Sequence, residues 1–319
     1  MERNAKIFVA GHRGMVGSAI ERKLEAKGYS NVVTRGRESL DLRDGKAVRE
    51  FFLQEQFDYV FLAAAKVGGI LANRDRPGDF IRDNLFIQMS VIDAAYQTFV
   101  KKLLFLGSSC IYPKHAPQPL KEEYLLTGEL ETTNEAYAIA KIAGIKMCQA
   151  YNRQFATTFI SAMPTNLYGD NDNFDPLSSH VLPALIRKMH EAKEHEFSYV
   201  EIWGSGKPYR EFLHADDLAD ACVFLMETYT EGEIVNVGSG KELAIRELAE
   251  LVRAVVGYEG ELRFNAGLPD GTPRKLLDCA KLNRLGWKSS ISLREGIERT
   301  YTWYLNNIAV RTEERRKLS

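Results

Sequence analysis

The first 163 residues alternate short apolar runs with stretches of helical period. The runs 6–10, 31–34, 59–62, 102–106 and 158–163 read as strands. The segments 15–27, 45–55, 79–98 and 135–155 read as helices, the first placing Val16, Ala19, Ile20 and Leu24 on one face. Strands separated by helices must cross over, which predicts a parallel sheet with helices on both faces. Such crossovers are nearly always right-handed, leaving a doubly wound, Rossmann-type α/β sheet as the expected topology.

The pattern changes at 164–179, where turn residues crowd, including Gly169-Asp170-Asn171-Asp172-Asn173. A domain boundary is expected there. Residues 1–172 would form a dinucleotide-binding domain, and 173–319 a smaller, mainly substrate-binding one, with a segment around 199–228 returning to the first. Later expected elements are helices at 181–192, 216–227, 245–256 and 292–304 and strands at 199–203 and 233–237. The charged tail from 311 reads as a frayed end.

Composition narrows the class. Hydrophobic residues are 45% and charged residues 27%, an ordinary globular balance. Lys plus Arg is 42 against 43 acidic residues, which argues against a nucleic-acid partner gripped by a strongly basic face. The apolar runs fall far short of the roughly 20 residues that cross a bilayer, so no membrane partner is expected. The start runs directly into a strand, without the pattern of a signal peptide. Cys110, Cys148, Cys222 and Cys279 are scattered, with no CxxC pair, so neither a metal site nor a disulfide framework is expected. A cytoplasmic soluble protein is the starting expectation.

Three motifs carry chemistry. Gly11-His12-Arg13-Gly14-Met15-Val16-Gly17 joins the first strand to the first helix, where glycines let a pyrophosphate approach the backbone at a helix N-terminus. NAD-binding versions carry an acid about 20 residues further on for the ribose hydroxyl. Arg35-Gly36-Arg37 stands there instead. A guanidinium fork suits a phosphate, so Arg37 with Arg13 points to NADP; two solvated surface arginines are the plainer reading. Asp41 is a candidate for adenine, and Asp44 for a helix cap. Tyr137 and Lys141 lie four apart on one helix face, where an ammonium would draw a phenol below its usual pKa of about 10. Leu106-Gly107-Ser108-Ser109-Cys110 follows a strand, where open α/β sheets place ligand groups.

Glycine loop, serine and YxxxK in that order resemble the extended short-chain dehydrogenase/reductases that act on nucleotide sugars. Trp203-Gly204-Ser205-Gly206, Arg210-Glu211-Phe212-Leu213-His214 and Asn236-Val237-Gly238 extend the likeness over nearly the whole chain. Ala64-Ala65-Lys66-Val67-Gly68-Gly69-Ile70 and Asp270-Gly271-Thr272-Pro273-Arg274-Lys275 narrow it to a branch with two activities. That branch epimerises carbons 3 and 5 of GDP-4-keto-6-deoxy-D-mannose and reduces the 4-ketone with NADPH, giving GDP-L-fucose. The resemblance implies Ser108, Tyr137 and Lys141 as the reductive triad and Cys110 with His180 as the epimerisation pair. It implies cofactor contacts from the glycine loop, Arg37, Asp41, Leu42, Ala64, Leu106, Gly107, Lys141, Pro164, Asn166, Leu167 and His180. Substrate contacts would come from Ser109, Lys188, Trp203, Arg210, Arg274 and Asp278, and a homodimer is expected.

The chemistry agrees in outline. Protons beside a ketone are acidic, and inversion needs a base on one face and an acid on the other. Cys110 lies two residues past Ser108, within reach of those carbons. A packed thiol, a capping histidine, a core Trp203 and a solvated Lys275 are the alternative readings of the residues concerned. Related dehydratases carry Asp-Glu where this chain has Cys110-Ile111, which argues against elimination. Another nucleotide-sugar epimerase or reductase is the alternative enzyme. A cofactor-sensing regulatory protein is the alternative class, but such proteins commonly lack the tyrosine or lysine that this chain keeps.

Overall fold

The computed structural model describes residues 1–175, 178–268 and 270–310. The first half runs β1 (Ile7–Ala10), α1 (Met15–Ala26), β2 (Val32–Val33), α2 (Gly45–Glu55) and β3 (Tyr59–Leu62). It continues with α3 (Ile70–Asp75), α4 (Pro77–Gln97), β4 (Lys102–Leu106), α5 (Glu135–Phe155) and β5 (Phe159–Pro164). The second half holds β6 (Asn166–Tyr168), α6 (Val181–Glu194), β7 (Tyr199–Trp203), β8 (Tyr209–His214), α7 (Ala215–Thr228) and β9 (Val235–Val237). After these come β10 (Glu242–Ala244), α8 (Ile245–Val256), β11 (Glu261–Asn265), β12 (Arg274–Lys275), α9 (Ala280–Arg284) and α10 (Leu293–Tyr304).

The main sheet has the order β2-β1-β3-β4-β5-β9, and every pairing is parallel. This is the doubly wound α/β sheet read from the sequence. Both faces are buried, so neighbouring residues of one strand enter different cores. Ile7 and Val9 pack with Ile20, Leu24 and Leu218 on the α1/α7 side. Phe8 and Ala10 pack with Phe52, Val91 and Ile145 on the α2/α4/α5 side. Burying an aliphatic or aromatic side chain of this kind contributes about 1.5–3 kcal/mol. Asp44 caps α2, accepting from Lys46 N and Ala47 N. α4 opens two residues before its expected start, because Pro77 supplies a pre-set first turn.

The third core belongs to the later part of the chain. Leu182, Ile186 and Met189 of α6 meet Leu248 and Val252 of α8, Ile202 of β7 and Ile297 of α10. The expected return of residues 199–228 to the first domain divides. α7 packs against α1 through the first core, whereas β7 pairs with β11 outside the main sheet. The strand that does rejoin the sheet is β9, beside β5. β6, β8, β10 and β12 form a second small sheet. The sequence reading has none of these four as strands, because each is short or carries polar residues that mask a period of two. The tail from 311 lies outside the described residues.

Candidate active site

The switch point of the main sheet falls between β1 and β3, and the glycine loop lies there. Gly11 takes φ 91°, and a Cβ on it would stand 2.7 Å from the Ala64 nitrogen after β3. A Cβ on Gly17 would stand 2.1 Å from the Gly11 carbonyl oxygen. Only glycine permits this approach, and it leaves the N-terminus of α1 open, with Met15 and Val16 in its first turn, as a cradle for a diphosphate. The cradle fits a dinucleotide cofactor.

Beyond β2, the Arg13 guanidinium meets the Glu38 carboxylate at 2.6 Å, and the Arg37 Nε stands 3.9 Å from Asp41. The Arg37 side chain is 74% exposed, free enough to turn toward an incoming phosphate. Arg35 is engaged elsewhere, with Glu55 at 2.8 Å and over the Phe51 ring. Asp41 is held by Arg43, whose hydrogen bond draws the carboxyl down to about 2. Leu42 follows it, half-buried against the second core.

Ser108 ends the loop after β4 and caps the short turn Ser109–Ile111 by accepting from Cys110 N at 3.3 Å. Ser109 itself is buried. Lys141 is buried one helical turn below Tyr137, its Nζ donating to the Leu106 carbonyl at 2.7 Å and lying 5.8 Å from the Tyr137 ring centre. Burial draws the Lys141 ammonium down to about 8. The Tyr137 phenol is pushed up, first by burial and then by Cys110, with Ser108 working the other way. The expected lowering by the Lys141 ammonium is absent from this balance, which burial dominates. A phenol that stays protonated at neutral pH is suited to donate a proton.

Cys110 is 7% exposed, and burial pushes its thiol up. Lys275 is the first of the groups that oppose this, followed by Ser108 and Lys141. His180 occupies the first position before α6, but its side chain makes no capping hydrogen bond. The residue is exposed, yet protein around its imidazole and the Lys275 ammonium hold it below the usual value. Ser178, on the same loop, accepts from Gly69 N at 3.0 Å, tying this segment to the Gly68-Gly69 turn. Among the described residues, no group of three or more His, Cys, Asp or Glu could hold a metal ion.

The implied substrate residues divide. Lys188 Nζ lies 5.2 Å from the Trp203 ring centre and donates to the Glu201 carbonyl, and Trp203 is 48% exposed. Arg210 reaches the Gly271 turn, and burial lowers its pKa. Arg274 pairs with Glu242, and Asp278 accepts from Ala280 N at the start of α9. Pro164 pairs with Val237 across the sheet, and Asn166 donates to the Glu211 carbonyl, with Leu167 beside it on β6. Lys275, read from sequence as a solvated side chain, sits half-buried and acts electrostatically on Cys110, His180 and Arg210. Its signal was hidden, since successive strand residues face opposite ways and only the pairing with Arg210 shows which one faces the cleft.

A twisted parallel sheet with a glycine cradle at its switch point and a Ser-Tyr-Lys set beside it defines a dinucleotide-dependent enzyme of nucleotide-sugar type. The chain belongs to the NAD dependent epimerase/dehydratase family, whose model matches residues 7–238. Within it, the chain is 61% identical over 310 residues to GDP-L-fucose synthase 1 of Arabidopsis thaliana, covering 97% of this chain and 96% of that one. It is 55% identical to GDP-L-fucose synthase of Escherichia coli, covering 95% and 97%. Among solved structures, a GDP-L-fucose synthetase from Naegleria fowleri bound to NADP superposes with a TM-score of 0.91 at 29% identity, covering 97% of this chain and 95% of that one.

Proposed function

We propose that the protein converts GDP-4-keto-6-deoxy-D-mannose to GDP-L-fucose by epimerising carbons 3 and 5 and reducing the 4-ketone with NADPH. The observation that supports this reading is the clustering of Ser108, Tyr137, Lys141 and Cys110, with Lys275 acting on both Cys110 and His180. The cofactor supplies reducing equivalents when held by the glycine cradle, Arg13, Arg37, Lys141 and the ends of β3, β4 and β5.

The residues divide the work by position. Ser108 and Tyr137 bind the ketone oxygen, which polarises the carbonyl and makes the protons at carbons 3 and 5 acidic. Cys110 as thiolate removes a proton, leaving an enolate whose charge rests on that same oxygen. His180, as imidazolium, returns a proton from the other face; water then takes the thiol proton and reprotonates the imidazole, and repetition at the second carbon completes the double inversion. In the reductive step the Tyr137 hydroxyl gives its proton to the developing alkoxide, and Lys141 orients it. Lys188, Trp203 and Arg210 serve the GDP end, as a cation over an aromatic face and a buried guanidinium.

The working form is a homodimer joined through α4 and α5. These helices pack on each other and leave Phe86, Met89 and Ile139 exposed. Four buried free thiols suit a reducing compartment, which supports a cytoplasmic location. The test is NADPH oxidation with a panel of GDP-4-keto sugars, followed by proton NMR of the product. GDP-L-fucose as the product supports the reading. Reduction without inversion would mark a plain 4-reductase, and no turnover would end the proposal.

A further inference from the structure

We propose that Arg43 is a specificity residue for NADPH over NADH: its guanidinium cancels the charge of Asp41, so that this acid can serve the adenine without repelling the 2′-phosphate or holding Arg37 away from it. The inference rests on the proposed place of that phosphate at Arg37 and gives Arg43 a part in the choice of cofactor.

The acid is held in place by backbone. Asp41 Oδ1 accepts from Arg43 N at 3.0 Å, and Asp44 N donates to the Asp41 carbonyl at 2.9 Å. On this fixed carboxylate the Arg43 side chain closes a fork, with Nε 3.0 Å from Oδ1 and Nη2 2.6 Å from Oδ2. Two-pronged contact is the geometry in which a guanidinium holds a carboxylate most firmly. Arg37 approaches the same Oδ2, with its Nε at 3.9 Å. Arg43 is anchored in turn, its Nη1 lying 3.6 Å from Oδ1 of Asp83 on α4. Asp83 is buried and also takes Lys66 Nζ at 3.0 Å and Arg82 Nη2 at 2.8 Å. Burial raises its carboxyl, but Lys66 and Arg82 outweigh burial and hold it below the usual range. Next to it the buried Asn84 accepts from Lys66 N at 3.0 Å and donates to the Lys66 and Phe80 carbonyls. This turn of α4 therefore clamps the segment after β2 to the segment after β3, the strands on either side of β1 and its glycine loop.

Charge decides what this arrangement does. A 2′-phosphate carries negative charge that the ribose hydroxyl of NADH lacks. A bare carboxylate next to Arg37 would repel that phosphate and compete with it for the guanidinium, and both effects act on NADPH alone. With Arg43 across it, Asp41 keeps lone pairs to accept from the adenine and presents little net charge. Glu38, the other acid of this stretch, is matched in the same way by Arg13 at 2.6 Å. Arg35 is taken by Glu55 at 2.8 Å. Among Arg13, Arg35, Arg37 and Arg43, Arg37 has the longest ion pair, and it is the one left to turn to a phosphate.

The test measures binding of 2′,5′-ADP and of 5′-AMP to the full-length protein by calorimetry, two probes that differ by the 2′-phosphate alone. Arg43→Met keeps the backbone N–H that holds Asp41 and removes the counter-charge. It should weaken 2′,5′-ADP about tenfold and AMP by less than about twofold. Adding Asp41→Asn, which keeps an accepting oxygen without the charge, should bring 2′,5′-ADP back to within about threefold of the parent. Arg43→Gln gives a second neutral side chain should Arg43→Met fail to fold, and fluorescence titration with NADPH and NADH should repeat the pattern. Unchanged binding, or equal weakening of both probes, overturns the proposal, since Arg43 would then only hold the loop. A double variant as weak as Arg43→Met overturns it too, because the arginine would be gripping the phosphate itself. A parent that does not distinguish the two probes overturns the placement of the phosphate at Arg37, and the proposal with it.

Discussion

The two halves of the cleft are built in opposite ways. The proposed reductive half comes from the end of β4 and from α5, with Tyr137 and Lys141 fixed by one helical turn. The proposed epimerisation half draws Cys110 from the loop after β4 and His180 from the start of α6, segments far apart in the chain. A helix fixes a spacing at little cost, so the first set survives changes elsewhere in the fold. The second depends on how the lobes meet. A protein built this way can lose inversion and keep reduction, and the following substitutions test that separation.

The largest effect is expected for Tyr137→Phe. Removing the proton donor should lower ketone reduction by about a thousandfold, within the usual range for a general acid. NADPH binding should stay within about twofold, and deuterium should still enter carbons 3 and 5. Steady-state NADPH oxidation and NMR of the recovered sugar measure the two halves separately. Retained turnover would move the donor role to another group, and lost exchange would show that the halves are not separable.

Cys110→Ser probes the other half. An alcohol is a far weaker base than a thiolate at neutral pH, so exchange at carbons 3 and 5 should fall by about a hundredfold or more. Reduction of the unepimerised ketone should continue and yield a sugar of the wrong configuration. Exchange at the parental rate would leave Cys110 as a packed thiol like Cys148, Cys222 and Cys279.

The same contrast explains what could be read before folding. The parallel sheet, the glycine cradle and the Tyr137/Lys141 pair follow from local period and spacing, which a sequence displays directly. β12 has two residues and no pattern of its own, so the cleft-facing side chain could not be told from its neighbour Arg274. The resemblance implies Arg274 and Asp278 for the substrate, and in the structure Arg274 pairs with Glu242 while Asp278 accepts from Ala280 N at the start of α9. The fate of 199–228 was equally hidden, because β7 finds its partner in β11, about 60 residues further along the chain.

Arg37→Asp should act on the cofactor end alone. Loss of a charged contact to the 2′-phosphate, with a repelling carboxylate in its place, should weaken NADPH binding by about 10–100-fold. NADH binding should change by less than about threefold. Fluorescence titration of both cofactors checks this, and equal affinity of the parent for the two would remove the assignment of Arg13 and Arg37 to a phosphate.

The smallest effect is expected in the loop that carries His180 toward the first domain. Asp172 Oδ1 accepts from Asn173 N at 2.7 Å, while its Oδ2 is buried without a partner. Burial pushes the carboxyl up to about 7, against a hydrogen bond from Asn173 N that lowers it. A folded-state pKa above the unfolded one means that ionisation opposes folding. The cost is absent below about pH 4, the usual carboxyl range, grows as pH rises toward 7 and is complete above it. Asp172→Asn keeps the accepting oxygen and removes the charge. It should raise Tm by roughly 2 °C at pH 8 and by nothing at pH 4. Thermal unfolding across that range reads the difference directly. If exchange at carbons 3 and 5 is unchanged in the same variant, the loop only tethers His180. If exchange rises or falls with stability, the boundary loop sets the geometry of the epimerisation half, and the two halves differ in rigidity as well as in origin.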